Sequence, residues 1–317
     1  MKFIYLCDTH IKGKNPENRI GNYYEDLMLK MKEVVSLSNE LNVNFVVHGG
    51  DLFNSPNVSN ILIDEFIDLI ESGKKTWNII WGNHDTIGHD PKLSKAASLA
   101  HMFRRSKYIE HLTTYNIDAS KQEGVNTILQ GFDYYHNIEG DIREKGLMCS
   151  NPNAKYKIAV THAFITHKPF LPHVLHIQMK DIKTDFDVVL CSHFHDDWGI
   201  KEVNGTKFIN LGAIGRQGVD EVKRTPKVLL VDTEVKSFEP IILKSAKEGK
   251  EVFDLEKIEN IKKFEKNIDN FINSLESVKF QSLDIRGKIE ELAKETNVEK
   301  EIIDEVINRI GRFEDEI

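Results

Sequence analysis

Five short polar sites carry the residues able to do chemistry: Asp8-Thr9-His10, Gly50-Asp51, Gly82-Asn83-His84-Asp85, His162, and Ser192-His193-Phe194-His195. Each directly follows an apolar run. Their imidazoles, carboxylates and one amide oxygen form a mixed N/O donor set with no thiolate, which suits Mn, Fe or Zn. One carboxylate placed centrally among them could bridge two cations ~3.5–4 Å apart, the spacing of two-metal hydrolases. Taken singly, each site is an ordinary turn or a packed histidine. Five in order, each closing a strand, are not coincidental turns.

Such a constellation needs strands to present it, because loops at the carboxyl ends of strands can bring distant side chains to one crevice. Short β-branched runs lead us to expect strands at 2–7, 45–48, 77–81, 127–131, 157–161, 188–191, 207–210, 227–231 and 239–243. Helical patterns over 24–41 and 61–72 fall between the early strands, which argues for α/β layering. After Gly249 the strand signal stops. Leu255, Ile258, Ile261, Phe264, Ile268, Phe271, Ile272 and Leu275 make one apolar stripe on a helix. A second helix is expected over 283–295. Thr296 and Glu299 have capping-box spacing for a third, carrying Ile302, Ile303, Val306, Ile307 and Ile310. We therefore place a boundary near 246, separating residues 1–245 from a small all-α region, 246–317.

Composition bounds the reading further. A chain of 317 residues has room for about two domains and a substantial core. The net charge of −8 gives no broad attraction to nucleic acid, so DNA contact would have to be local or helped by metal ions. That charge is uneven: residues 1–245 hold 29 basic and 31 acidic side chains, and residues 246–317 hold 13 and 19. Three scattered cysteines, Cys7, Cys149 and Cys191, make no disulfide framework and favour a reducing cytoplasm. No apolar run approaches the ~18 residues of a membrane span. The chain opens on a strand-like segment without a basic leader, so no secretory signal is expected.

From Asp8 to His195 the motifs resemble those of the calcineurin-like metallophosphoesterase superfamily, with every expected metal position filled. The resemblance implies a four-layer αββα sandwich around two divalent metal ions. Carried over by position, one metal takes Asp8, His10, Asp51 and His195. The other takes Asp51, Asn83, His162 and His193, with Asp51 bridging. His84 matches the histidine that faces the phosphate, and Asp85 would orient it through a hydrogen bond. One departure is Ser192 where the family has glycine; a serine is small enough for that turn. A metal-bridging hydroxide would attack the phosphate without a covalent intermediate, and a protonated His84 could deliver a proton to the leaving alkoxide.

The substrate is read from the surroundings. The string HGGDLFNSP is similar to the Gly-Asp-Leu-Phe of SbcD-like DNA-repair exonucleases, which partner a coiled-coil ABC-type ATPase. Asn54 stands where purple acid phosphatases have a tyrosine ligand, and no arginine follows Asp51 as in Ser/Thr phosphatases. Arg19, in a basic and amide-rich loop with Lys12 and Lys14, and Arg216, after the small-residue turn ending at Ala213, are the expected substrate contacts. Phe164, His167, Lys168 and Phe170 either stack on a base or fold back on the core. The expectation is a DNA exo- or endonuclease in repair or processing, with Mn2+ as the metal and Fe or Zn as alternatives. Its rival is a small-molecule phosphomonoesterase or cyclic-nucleotide phosphodiesterase. The complete ligand set argues against a non-catalytic scaffold. Residues 246–317, too acidic to grip DNA, would dock the ATPase or mediate self-association.

Overall fold

The computed structural model describes residues 1–17, 19–116 and 127–276, together with Ile289, Ala293, Val298 and 300–306. In chain order the strands begin with β1 (Lys2–Leu6), β2 (Phe45–His48), β3 (Thr76–Ile79), β4 (Ile109–His111), β5 (Thr114–Asn116), β6 (Thr127–Phe132) and β7 (Tyr156–Thr161). They continue with β8 (Ile165–Thr166), β9 (Ile177–Gln178), β10 (Val188–Cys191), β11 (Asp197–Val203), β12 (Thr206–Leu211), β13 (Lys227–Asp232) and β14 (Ser237–Ile242). The helices are α1 (Tyr23–Glu40), α2 (Asn60–Gly73), α3 (Ser98–Arg105), α4 (Ile138–Lys145), α5 (Gly249–Val252) and α6 (Leu255–Glu276).

Two six-stranded sheets dominate, with orders β14-β13-β1-β2-β3-β4 and β11-β12-β10-β7-β6-β5. Their centres are parallel: β1, β2, β3 and β4 run together in one sheet, and β6, β7, β10 and β12 in the other. Central parallel strands are covered on both faces and so read as continuous apolar runs. In β1 the period of two then sorts side chains between layers. Phe3 and Tyr5 face the opposing sheet and meet Ile158, Val160 and Leu190 in an inter-sheet core. Ile4 and Leu6 point the other way, onto Leu27, Met31 and Val34 of α1 and Phe66 and Ile70 of α2. On the outer face of the second sheet, Ile128, Ala159 and Val189 pack against Ile138 and Ile142 of α4. Helix, sheet, sheet and helix therefore stack as the expected αββα sandwich. Burying each large aliphatic in these layers contributes about 1.5–3 kcal/mol.

All nine strands expected from sequence are present, within two residues at either end. The sequence reading missed β4, β5, β8, β9 and β11. Four of these are only two or three residues long. β11 breaks its alternation at Gly199, which has φ +72° beside a register shift between Asp197 and Gly199. α1 starts where the side chain of Asn22 accepts the backbone N–H groups of Tyr24 and Glu25.

The chain divides into two compact units, Met1–Phe253 and Asp254–Ile317. In the second, α6 spans the helix expected there, with Ile268 buried beside Ile289, Ala293, Ile302 and Val306 and Phe264 partly buried against them, while Leu255 is exposed. Residues 300–306 are helical. The expected helix over 283–295 falls largely outside the described residues, as do Ile307 and Ile310. Among the described residues no helix is long and apolar enough to cross a membrane.

Candidate metal centre

Each of the five polar sites sits just past the carboxyl end of a central parallel strand. Asp8 and His10 follow β1, Asp51 follows β2, and Asn83 and His84 follow β3. From the facing sheet, His162 follows β7, and His193 and His195 follow β10. Strand pairing continues past the ends: the Asp8 N–H donates to the Gly50 carbonyl at 3.1 Å, and the His10 N–H to the Asp51 carbonyl at 3.0 Å. The two sheets are stitched together directly beneath the site. Tyr5 Oη donates to the Cys191 carbonyl (2.9 Å), and the Gly49 carbonyl lies 2.7 Å from His162 Nδ1.

This places carboxylate and imidazole atoms in contact. Asp51 Oδ2 lies 3.6 Å from His10 Nε2 and 3.3 Å from His162 Nε2. His195 Nε2 is 3.0 Å from His10 Nε2 and 3.8 Å from Asp8 Oδ1, while Asn83 Oδ1 is 3.1 Å from His162 Nε2. Three groups have atoms close enough to hold an ion: Asp8, His10 and His195; His10, Asp51 and His84; and Asp51, His162 and His193. Asp51 belongs to two of them. An orphaned atom agrees with this: Asp8 Oδ1, 3.8 Å from His195 Nε2, is buried without a hydrogen-bond partner. Buried polar atoms are rarely left so unless an unseen ion or water completes them. The residues therefore fit a cation-binding centre.

Backbone strain marks the same residues. Asp8 (φ 53°), His10 (φ 49°), Asp51 (φ 53°) and His193 (φ 71°) all adopt the left-handed conformation, which non-glycine residues enter only at a cost. Glycine is required nearby for another reason. A Cβ at Gly50 would lie 2.6 Å from His162 Nδ1, and one at Gly82 would collide with the Asp51 carboxylate.

Electrostatics follow from burial and proximity. Burial works against the Asp51 carboxylate, yet the imidazoles of His162, His10 and His84 hold its pKa far below the usual range. Burial opposes charge on His162 too, but Asp51 raises it to about 9. Burial lowers His10 well below its ordinary value and takes His193 to about 3, His162 adding to the latter. These two rings are therefore uncharged at neutral pH, each with one nitrogen able to offer a lone pair, as cation binding requires.

Several sequence expectations need correction. Asp85 does not orient His84. Its carboxylate accepts the backbone N–H groups of Leu52 (3.2 Å), Phe53 (2.9 Å) and Gly82 (3.0 Å), tying the β2 and β3 loops together. His84 Nδ1 is instead 3.0 Å from the Asn54 carbonyl, and its backbone N–H donates to Asp51 Oδ1 at 2.8 Å. Arg19 and Arg216 do not face the centre as substrate contacts. The Arg19 side chain is 1% exposed, pairs with Asp26 at 3.0 Å and donates to the Arg216 carbonyl. Arg216 donates to the carbonyls of Arg224 and Lys247. In the loop after His162, Phe164 folds back on its neighbours, while Lys168 and Phe170 are exposed. Phe164 packs on Phe170, Phe194 and the edge of His193, with ring centroids 5.2, 4.9 and 5.3 Å away.

Sequence reasoning also missed residues that act on the ligands. Glu221 accepts from His195 Nδ1 at 3.0 Å, fixing which nitrogen turns inward. His48 and Thr9 hold each other at 3.2 Å beneath the Asp51 loop. Tyr134 packs its ring against His162 and His193. Thr9 and His48 lie inside the Asp8-Thr9-His10 and HGGDLFNSP segments without being ligand types singled out there, whereas Glu221 and Tyr134 lie in no local motif; Glu221 stands 26 residues from the histidine it supports.

The calcineurin-like phosphoesterase family model matches residues 1–197, more than half of the chain. The chain belongs to that family. It is accordingly a metal-dependent hydrolase of phosphate esters. The DNA double-strand break repair protein Mre11 of Methanococcus maripaludis is 24% identical over 240 residues, covering 70% of this chain and 59% of that protein. The chain thus spans about 59% of that relative's length. Among solved structures, TT1561 of Thermus thermophilus is similar at 8% identity and a TM-score of 0.44, covering 77% of this chain and 99% of that one. A dimetal phosphatase from Danio rerio is similar at 12% identity and a TM-score of 0.47, covering 76% and 96%.

Proposed function

We propose that the chain is a dinuclear-metal phosphodiester hydrolase acting on DNA, as an exo- or endonuclease of repair or processing. The observation that carries this reading is Asp51, shared between two groups of potential ligands in one cluster drawn from five strand ends. One ion would be held by Asp8, His10, Asp51 and His195, the other by Asp51, Asn83, His162 and His193. The donor chemistry suits Mn2+. The likeness to Mre11 and the Gly-Asp-Leu-Phe string support DNA as the substrate.

Two divalent cations would supply charge neutralisation at the phosphate and a water acidified to near neutrality. The chain's own groups do the rest. Glu221 and the Gly49 carbonyl hold the Nδ1 sides of His195 and His162, leaving their Nε2 atoms for the centre. His84 is exposed, with Nδ1 against the Asn54 carbonyl, so its Nε2 is free to pass a proton to a departing alkoxide. No serine or cysteine nucleophile is required. Residues 1–245 are the catalytic domain in this proposal. Residues 246–317 are a docking element for a coiled-coil ABC-type ATPase or for self-association. Three free, buried cysteines fit a cytoplasmic setting.

The test gives Mn2+-loaded protein linear duplex DNA, single-stranded DNA, an aryl bis-ester and a monoester. Cleavage of DNA and the bis-ester is expected, falling about 10²–10⁴-fold in His84→Ala and abolished in Asp51→Asn. Turnover of monoesters or cyclic nucleotides with DNA untouched would sink the nuclease reading in favour of the small-molecule one.

A further inference from the structure

A cavity opens near the metal centre. It is a cleft of about 810 Å³ whose lining includes Trp81, His89, Lys92, Asp133, Tyr135 and His136. Pockets of ~300–1,000 Å³ take small organic ligands. The cleft is built by two loops, one continuing from the β3 end that carries Asn83 and His84, the other following β6. Tyr134, between the lining residues Asp133 and Tyr135, links the two places: its ring centroid is 5.8 Å from His193 of the metal cluster and 5.8 Å from the lining residue His89.

The chemistry of the lining selects its occupant. Tyr135 is 38% exposed, and its hydroxyl donates to Asp141 at 2.9 Å, so the ring is held in place with a surface open to solvent. His136 N–H donates to the His89 carbonyl at 3.1 Å and joins the two loops. His89 itself is held at φ 58°, a strained conformation of the kind that gathers at binding sites. Asp133 is engaged by His111 at 2.8 Å and by the Trp81 N–H at 3.0 Å. The lining also includes Asp90. Asp90 and Asp133 offset Lys92 in the lining, so a flat neutral ring on the exposed face of Tyr135 is favoured over an anion. Lys92, an exposed residue of the same lining, suits a phosphate of the strand that carries the base.

We infer that this cleft receives one unstacked nucleobase of the strand whose phosphate lies at the metal centre. It is a stacking platform that tolerates any base, as single-strand sites do. The inference rests on the phosphodiesterase reading of the adjoining centre and adds to it a subsite for a single-stranded end.

Two readouts test it on the full-length, Mn2+-loaded protein. The first is the fluorescence of a single-stranded oligonucleotide carrying one 2-aminopurine next to an uncleavable phosphorothioate linkage. The second compares cleavage of an oligonucleotide with its counterpart made abasic at one position beside the scissile phosphate. Quenching by the wild type is expected, with about tenfold preference for the base-bearing strand. Tyr135→Ala should lose both, and Tyr135→Phe, which keeps the ring, should retain them. Equal cleavage of the two strands by the wild type, absent quenching, or full preference in Tyr135→Ala would overturn the subsite. Quenching retained without cleavage of either strand would instead overturn the hydrolase reading and leave the subsite standing.

Discussion

Glu221 shows how a single carboxylate can govern a ligand it does not share. It touches His195 Nδ1 and Arg224 and accepts the N–H of Gly218. Burial works against the Glu221 charge, but His195 and Arg224 bring its pKa from 4.5 down to about 2. A depressed carboxyl stabilises the fold above its unfolded value and loses that contribution as pH falls through the folded one. The stability should therefore drain away between about pH 4.5 and pH 2, a span worth roughly 3 kcal/mol. Denaturant midpoints measured across that window should fall less steeply with acid in Glu221→Gln than in the wild type. At this scale the clustering of the potential donors was legible, because metal chemistry restricts residue types and each closes an apolar run. Their supports were not. Glu221 and Tyr134 act through space on residues distant in the chain, and nothing in their local sequence distinguishes them. Arg19 and Arg216 looked like substrate contacts because basic residues near a motif do. Only packing reveals that Asp26 and backbone carbonyls already hold them.

The elements matter through the loops that end them. Asp85 closes the loop after β3 onto the loop after β2, and Gly82 lets the two approach. Gly82→Ala would drive its methyl into the Asp51 carboxylate. The expected result is Mn2+ affinity reduced by about 10–100-fold, as when groups around a ligand are disturbed, with the secondary structure kept. Calorimetric titration and circular dichroism would check the pair, and unaltered affinity would refute the close approach. Strands with long apolar runs were legible because both faces are covered. β4 and β5 were not: three residues at a sheet edge carry too little pattern to register.

At the scale of the molecule, residues 1–253 enclose all three sandwich cores and every group of potential metal ligands found among the described residues. A chain ending at Phe253 should melt cooperatively and hydrolyse an aryl bis-ester within about threefold of the full chain, since none of its buried aliphatics, each worth about 1.5–3 kcal/mol, is removed. Loss of the transition on removing 254–317 would show that the helical unit is part of the fold's foundation. The left-handed backbone at Asp8, His10, Asp51 and His193 has a further consequence, for anyone who would engineer this protein. Glycine at any of the four would relieve on the order of 1 kcal/mol of strain. A screen for heat resistance alone would thus reward the variants that discard a donor. Hardening the enzyme safely means mutating elsewhere and assaying metal content in every round, because here thermal robustness and the working centre pull in opposite directions.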